Sequence, residues 1–329
     1  MPDMHQPDPI EAVDVVGVGL NATDTIIRLP HFPAFNSKVQ FLSAELSAGG
    51  QTASALVACA LWGLRTRYVG KVGNDAAGQM QRAQLAAAGV DPRLIVVPRC
   101  ASQQAFILVD EPSGERTILW RRDDRLALRP EELERNWIAS ARALHVDGHD
   151  NLAAAQAARW ARESGIPVTA DMDNLYPHIE ELLGYVDYLV ASHEFPVRLT
   201  GETDLLKALP AIAQRHGGLV VGATLGRDGA LLWSGKQGFL YAPAYRVEAR
   251  DTTGAGDIFH GAFLYGLLAN WPLPRILDFS CAAAGLNCTE LGARGGIKPL
   301  AEIEALMNTR RHAKAHASFA RYNIHRARA

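Results

Sequence analysis

DTTGAGDIFHGAFLYGLL, residues 251–268, is the stretch from which the fold and the chemistry of this chain are read most directly. Small residues precede an apolar run of helical length. The backbone N–H groups of Gly254, Ala255 and Gly256 would therefore point outward from a helix N-terminus, where the helix dipole favours anions. A phosphate group fits such a nest. Asp257 would stand beside that anion, where a carboxylate suits proton abstraction from an attacking hydroxyl. The alternative is an acidic residue that only stabilises the helix dipole.

Strands and helices alternate along most of the remaining chain. A continuous apolar run over 12–20 predicts a buried parallel strand. Further strands are predicted at 66–70, 143–147, 167–171, 186–191 and 219–223, with a hairpin at 229–233 and 237–241. Helices are predicted at 52–63, 76–88, 151–164, 203–216, 255–269 and 273–289. This alternation predicts a mostly parallel sheet covered by helices on both faces.

Two pairs of more polar strands interrupt that pattern early in the chain. Thr25–Leu29 and Lys38–Ser47 form the first pair, and Gln104–Asp110 and Arg116–Arg121 the second. Apolar and polar residues alternate along these strands, which suits a sheet with one solvent-exposed face. We therefore expect a separate small sheet built from segments 23–47 and 103–122. The predicted fold class is α/β, with a three-layer α/β/α arrangement and a small β-sheet lid.

The composition excludes several classes of protein. The chain has 329 residues, of which 48% are hydrophobic, so it can bury a large core and is not disordered as a whole. A net charge of −2 argues against a dedicated nucleic-acid binder. The four cysteines show no CxxC spacing and predict reduced thiols in a cytoplasmic protein. Neither a signal peptide nor a transmembrane helix is predicted.

The near-neutral total hides an uneven distribution of charge. Residues 310–329 contain six basic residues and no acidic residue, so the preceding 309 residues carry −8. A basic tail of this kind can contact acidic partners or nucleic acid, or it can be a frayed extension. We favour the frayed extension.

Other motifs suggest competing functions. Gly17–Ala22 matches the dinucleotide-binding pattern G-x-G-x-x-A after a strand, but the β-branched residues 23–27 and Pro30 make the required helix unlikely to form. A Walker-type phosphate-binding loop is excluded, because no Lys-Ser/Thr pair follows Gly254 and Gly256. His145–Asp150 could form a metal cluster, but we favour a polar strand end close to the substrate. Asp171 and Asp173 stand at the end of a neighbouring strand, where two roles are open: facing the same cleft, or capping a turn.

Four motifs together resemble those of one family. AGGQTA at 48–53, GKVGNDAAG at 70–78, TLGRDGA at 224–230 and DTTGAGD at 251–257 resemble the signatures of the PfkB (ribokinase-like) carbohydrate kinases, in that family's order and spacing. The resemblance implies a ribokinase-like kinase domain over about 12–307, a disordered N-terminus over 1–11 and a basic C-terminal tail over 308–329. It implies ATP-dependent phosphorylation of a hydroxyl on a sugar or sugar derivative, with ATP, Mg²⁺ and, in many members, K⁺.

The resemblance also implies roles for individual residues. Asp257 matches the catalytic base, and Gly254, Ala255 and Gly256 match the anion hole. The positions that match the ATP site are Thr224, Gly226 and Gly229. The positions that match the substrate site are Asn21, Asp24, Gly49, Gly50, Gln51 and Ser54. Asp251 and Thr253 match positions near a monovalent-cation site, and Glu194 is expected to contact Mg²⁺ through water.

Three positions depart from the family pattern. Ser54 stands where ribokinases carry an Asn that contacts sugar, which puts ribose itself in question. Asp24 lies one residue further from Asn21 than in ribokinases. Ser192 replaces an Asn in the element close to magnesium, and the acid Glu194 comes one place early. A nucleoside or vitamin kinase, and a non-catalytic ligand-binding or regulatory protein on this scaffold, remain alternatives. The resemblance further implies a homodimer formed through the lid, without membrane partners.

Overall fold

The computed structural model describes residues 11–325, so the predicted disordered N-terminus lies almost wholly outside the described residues. The strands are β1 Val13–Val18, β2 Ala22–Leu29, β3 Ser43–Gly49, β4 Thr66–Gly73, β5 Val90–Val97, β6 Gln104–Asp110, β7 Arg116–Arg121, β8 Ala141–Asp147, β9 Val168–Met172, β10 Tyr188–Ser192, β11 Val220–Thr224, β12 Ala230–Ser234 and β13 Gly238–Ala242. The helices are α1 Gln51–Leu61, α2 Ala76–Ala87, α3 Arg135–Ala139, α4 Asn151–Glu163, α5 Ile179–Leu183, α6 Glu194–Thr200, α7 Leu205–His216, α8 Ala255–Leu268, α9 Leu273–Asn287 and α10 Leu300–Thr309.

Nine strands form the central sheet in the order β13-β12-β11-β10-β9-β8-β1-β4-β5. The seven strands from β11 to β5 run parallel, and β12 and β13 form an antiparallel hairpin at one edge. On one face of the sheet, a cluster of buried apolar side chains packs beneath α4 and α7. On the other face, two further clusters pack beneath α1, α8 and α9. The predicted three-layer α/β/α arrangement is confirmed. Within the described residues, no helix combines the length and apolar character needed to cross a membrane.

The small sheet has the order β3-β2-β6-β7 and stands apart from the central sheet. Its inner face holds a cluster of buried apolar side chains: Ile26, Ala105, Ile107 and Val109. The strand register aligns Leu46, Thr25, Phe106 and Leu119 in one row on the opposite face. Three of these four side chains are large, apolar and about half exposed. We call this set of four residues the outer lid row.

Two local features differ from the sequence-based predictions, and a third agrees with them. Strand β5 is absent from the sequence-based predictions; it contains Pro92 and lies at the sheet edge, where proline is tolerated. The strand predicted from Lys38 begins only at Ser43, after a stretch of exposed residues. Gly17 and Gly19 are followed by strand β2 and not by a helix, which confirms the sequence-based rejection of a dinucleotide-binding motif.

The C-terminal segment from 311 to 325 packs along β13 and the residues that follow it. The amide of Ala313 donates to the carbonyl of Ala244 at 2.7 Å, and the amide of Ile324 donates to the carbonyl of Tyr241 at 3.0 Å. Phe319 is buried, with its ring 5.7 Å from that of Tyr241. The expected frayed extension is therefore wrong for this segment, because its aromatic side chains and backbone anchor it to the sheet edge.

Candidate active site

The candidate site lies where parallel strands of the central sheet end and α8 begins. Open α/β sheets place ligands outside the carboxyl ends of their strands, because the loops there diverge and leave a crevice. The predicted residues Asn21, Asp147 and Asp171 lie at or just beyond the ends of β1, β8 and β9. Asp257 reaches the same region from the first turn of α8.

Gly254 shapes the start of α8. It is the N-cap residue with φ of 74°, and a Cβ added to it would lie 2.2 Å from the carbonyl oxygen of Ala293, so this close approach requires glycine. The amide of Ala255 donates to the carbonyl of Thr252 at 3.3 Å. Over residues 11–325, the amides of Gly256 and Asp257 have no backbone acceptor, and space is open above Gly256. Two N–H groups at the positive end of a long helix are therefore available to an anion.

The electrostatics around Asp257 favour a carboxyl group that changes protonation near neutral pH. Loss of hydration, with a smaller contribution from the charge of Asp171, raises the pKa of Asp257 to about 7. His260 and Arg294 oppose this shift. Burial likewise raises the pKa of Asp24 to about 6, against the charge of Arg294. The charge of Asp24 also contributes to the raised pKa of Asp257, so both predicted acids lie in one site.

Arg294 is a residue that the sequence analysis missed. Its Nη2 donates to the carbonyl oxygen of Gly49 at 2.7 Å, and its Nε donates to Oγ of Ser54 at 3.1 Å. Burial lowers its pKa to about 10, but it stays charged at neutral pH. The sequence signal is an arginine between glycines, GARGG at 292–296, in the loop after α9. A guanidinium has five N–H donors, so three remain for other acceptors.

The predicted substrate residues line the same side of the site as Arg294. Asp24 is 5% and Asn21 4% exposed, and the side-chain amide atoms of Asn21 are buried without a hydrogen-bond partner in the described part of the chain. Gly49 leaves room for Asp24, because a Cβ there would lie 1.9 Å from Oδ2 of Asp24. Gly50, with φ of 95°, precedes α1, and Oε1 of Gln51 is also buried without a partner. These unpaired groups can bind substrate hydroxyls.

Asp147 supports the loop that carries Asn21. It is fully buried, and its Oδ2 accepts hydrogen bonds from the amide of Leu20 at 2.6 Å and from Oγ1 of Thr52 at 2.8 Å. Its Oδ1 accepts from the amide of His149 at 3.1 Å. His145 is also buried, with Nδ1 2.9 Å from Oγ1 of Thr169. These contacts satisfy both carboxylate oxygens of Asp147 and one ring nitrogen of His145, whereas Nε2 of His145 and Nδ1 of His149 are buried without a hydrogen-bond partner in the described residues.

The predicted nucleotide residues lie at neighbouring strand ends. Thr224 ends β11 and pairs in register with Ser192, the last residue of β10. Gly226 and Gly229 follow in a tight turn with φ of 57° and 98°. Glu194 begins α6, where its exposed carboxylate pairs with Arg198 one turn later. The charged groups that shift the pKa of Asp257 do not include Glu194, so the structure gives no electrostatic link between these two acids.

The two positions predicted near a monovalent cation are already occupied by hydrogen bonds. Asp251 is fully buried and accepts from the amides of Thr253 and Gly292, both at 2.8 Å. Nδ2 of Asn287 donates to the carbonyl oxygens of Thr253 at 3.2 Å and Ala293 at 3.1 Å. An amide donor therefore stands between these two carbonyls, while each carbonyl oxygen and the carboxylate of Asp251 keeps a further lone pair.

Comparisons with known proteins agree with this architecture. A family model described as pfkB family carbohydrate kinase matches residues 12–299. An ATP-dependent ribose-1-phosphate kinase from Halopiger xanaduensis is 29% identical, over 86% of this chain and 94% of that protein. A solved structure from Agrobacterium tumefaciens, provisionally assigned as a ribokinase, has 29% identity and a TM-score of 0.84, over 91% of this chain and 98% of that one. A provisionally assigned ribokinase II from E. coli, solved with ATP and Mg²⁺, shares the fold with a TM-score of 0.78 at 22% identity, over 90% of this chain and 99% of that one.

Proposed function

The chain belongs to the pfkB family of carbohydrate kinases, and from that premise we propose that it transfers the γ-phosphoryl group of ATP to a hydroxyl of a sugar or sugar derivative. Asp257 is the proposed base. The observation that carries the proposal is its place in the first turn of α8, with a pKa of about 7 and the available amide of Gly256 beside it. A base whose pKa lies near the working pH transfers protons efficiently.

In the proposed reaction, the substrate hydroxyl oxygen attacks the γ-phosphorus, and its proton passes to the carboxylate of Asp257. The bond from phosphorus to the bridging oxygen breaks, and ADP leaves. Charge on the phosphoryl oxygens is stabilised by the available N–H groups of Gly256 and Asp257 and by the helix dipole. In the predicted anion hole of Gly254, Ala255 and Gly256, the amide of Ala255 would first have to release the carbonyl of Thr252. Closure of the small sheet over the site would exclude water and so limit ATP hydrolysis.

The nucleotide is proposed to bind along the ends of β10 and β11, at Thr224, Gly226 and Gly229. Mg²⁺ supplies charge neutralisation on the phosphates when it is bound. Carboxylate oxygen suits this hard cation, and Glu194 is the proposed contact, through water. Glu194 must then exchange its ion pair with Arg198 for that contact.

The substrate is proposed to bind between Asp24, Asn21 and Arg294. The carboxylate of Asp24 accepts hydrogen bonds from hydroxyl groups, and the three remaining N–H groups of Arg294 donate to oxygens. A guanidinium at this place also suits an acidic substituent, which agrees with the similarity to a ribose-1-phosphate kinase. The substrate panel should therefore compare free sugars, sugar phosphates, sugar acids and nucleosides.

We also propose that no monovalent cation is needed. Asn287 already bridges the carbonyls of Thr253 and Ala293.

The oligomer is proposed to be a homodimer that buries the outer lid row, since three large apolar side chains in that row are about half exposed.

The test is the replacement Asp257→Asn in a coupled ADP-release assay with Mg²⁺ and the panel above. We expect kcat to fall by about 10²–10⁴-fold, because general-base catalysis is lost, while ATP binding and circular dichroism stay unchanged. Glu302→Gln, which alters an exposed acid in the first turn of α10, is the matched control and should keep the wild-type kcat. Near-normal turnover in Asp257→Asn would end the proposal. A lack of acceptor-dependent ADP release across the whole panel would favour the non-catalytic alternative.

A further inference from the structure

A cluster of potential metal ligands lies away from the candidate active site. Asp278 on α9 and two histidines of the C-terminal segment, His312 and His325, place one ligand atom each within 4.8 Å of one another. They come from distant parts of the sequence, so no metal-binding motif with a fixed spacing could have predicted the cluster. In the part of the chain that the structure describes, this is the one group of three such residues that meets this distance.

The backbone holds both histidines in place before any ligand binds. His312 forms an antiparallel bridge with Tyr245, and the amide of Ala313 next to it donates to the carbonyl of Ala244 at 2.7 Å. His325 follows Ile324, whose amide donates to the carbonyl of Tyr241 at 3.0 Å. The imidazole rings of His312 and His325 consequently lie 4.2 Å apart between centroids.

The side chains in this cluster are incompletely satisfied. Both ring nitrogens of His312 and Nε2 of His325 are buried and have no hydrogen-bond partner within residues 11–325, although Nε2 of His325 lies 3.2 Å from Oδ1 of Asp278. A neutral imidazole carries one donor and one acceptor, and burying both unpaired is costly. The hydroxyl of Tyr245 donates to Oδ1 of Asp278 at 2.7 Å and so fixes the orientation of that carboxylate.

We propose that His312, His325 and Asp278 bind a divalent transition-metal ion, of which Zn²⁺ is the best match. Two imidazole nitrogens and a carboxylate oxygen are ordinary zinc ligands, and water would complete a tetrahedron. Ligand atoms about 2.0–2.2 Å from a tetrahedral zinc lie about 3.4 Å from one another. The ligand atoms of this cluster lie within 4.8 Å of one another, so binding needs a contraction of at most about 1.4 Å between any two of them. The hydrogen bond from Tyr245 is the outer contact that such carboxylate ligands commonly have.

The metal would be structural. Asp278 belongs to α9, which packs on α8, whereas both histidines belong to the segment that runs along β13. One ion would therefore fasten the C-terminal segment to the helical layer behind the active site. Metal binding would give part of the basic C-terminal tail a structural role. This proposal is independent of the proposed kinase reaction.

The experiment uses untagged full-length protein, stripped with a chelator and titrated with Zn²⁺ or Co²⁺. We expect one bound ion per chain by elemental mass spectrometry and calorimetry, and visible Co²⁺ absorption of the intensity that tetrahedral sites show. Trypsin should cut the segment at Lys314 and Arg321 more slowly with Zn²⁺ than without it.

Variants locate the ion. His312→Ala, His325→Ala and Asp278→Asn should each weaken Zn²⁺ binding at least tenfold and abolish the trypsin protection. His316→Ala removes a histidine of the same segment that stacks on Phe319 outside the cluster, and it should bind Zn²⁺ like the wild type. Asp278→Asn keeps a side-chain oxygen for Tyr245, and circular dichroism reports whether each variant folds. Zn²⁺ binding that is absent, or that the three variants leave unchanged, would overturn the proposal.

Discussion

The guanidinium of Arg294 donates a hydrogen bond of 2.7 Å to the carbonyl oxygen of Gly49, although 245 positions separate the two residues. Gly49 ends β3, a strand of the small sheet, whereas Arg294 lies in the loop after α9, next to the Ala293 carbonyl that Gly254 approaches. The contact thus links the small sheet to the structure that supports the start of α8. Arg294 therefore connects the proposed substrate site with the small sheet.

Replacing Arg294 with lysine should weaken substrate binding while keeping the charge. Lysine cannot reproduce the paired donors to Gly49 and Ser54, and a hydrogen bond that involves a charged group contributes about 1.5–3 kcal/mol. We therefore expect the KM for the acceptor to rise about 10–100-fold and the KM for ATP to change little. Arg159→Lys, at an exposed position on α4, is the control for steady-state kinetics. Equal changes in both KM values would contradict a role in substrate binding.

The activity should depend on pH through Asp257. Its carboxyl must be deprotonated to accept a proton, and its raised pKa of about 7 means that it becomes protonated as the pH falls through neutrality. We expect kcat/KM to rise with pH from about 5.5 and to level off above about 7.5. Below pH 6, protonation of Asp24, with a pKa of about 6, should steepen the loss. A flat profile between pH 6 and 8 would show that no group with this pKa takes the proton.

The start of α8 shows what local sequence could predict. The glycines at 254 and 256 and the apolar run after them specify a helix N-terminus by themselves, and the predicted helix 255–269 agrees with the observed Ala255–Leu268 within one residue. The alternation of strands and helices likewise predicted the central sheet, because each buried strand and amphipathic helix carries its own pattern.

The parts that could not be predicted depend on contacts between distant segments. Arg294 and Asn287 gain their significance from Gly49, Ser54 and Thr253, which no local pattern connects with them. The C-terminal segment is anchored mainly by aromatic contacts such as that of Phe319, whereas its basic residues alone suggested fraying. Edge position likewise explains how Pro92 is accommodated in β5.

Asn287 should make the enzyme independent of monovalent cations. Its amide donates to the carbonyls of Thr253 and Ala293, and its Oδ1 accepts from the amide of Gly296 at 3.2 Å. We expect equal wild-type turnover in potassium chloride and in tetramethylammonium chloride at the same ionic strength. Asn287→Ala removes the donor and leaves both carbonyls unpaired, so it should lower stability by about 1–3 kcal/mol and make turnover respond to K⁺.

The control for Asn287→Ala is Asn270→Ala, at a position where α8 has ended, which should not create a response to K⁺. Thermal unfolding with and without K⁺ separates the effect on stability from that on turnover. Several-fold activation of the wild-type enzyme by K⁺ would contradict the assignment, since it would mean that the carbonyls accept a cation despite Asn287.

The outer lid row should form a contact between two copies of the chain. Phe106 is 48%, Leu119 55% and Leu46 62% exposed, and the strand register aligns them across neighbouring strands. Leu119→Lys places a charge in this row, and burying an unpaired charge in an apolar interface is costly. We therefore expect light scattering to report a dimer for the wild type and a monomer for Leu119→Lys at micromolar concentration. Leu219→Lys, at an equally exposed leucine before β11, should leave the dimer intact. A wild-type monomer, or a dimer that Leu119→Lys does not weaken, would show that this surface is not the interface.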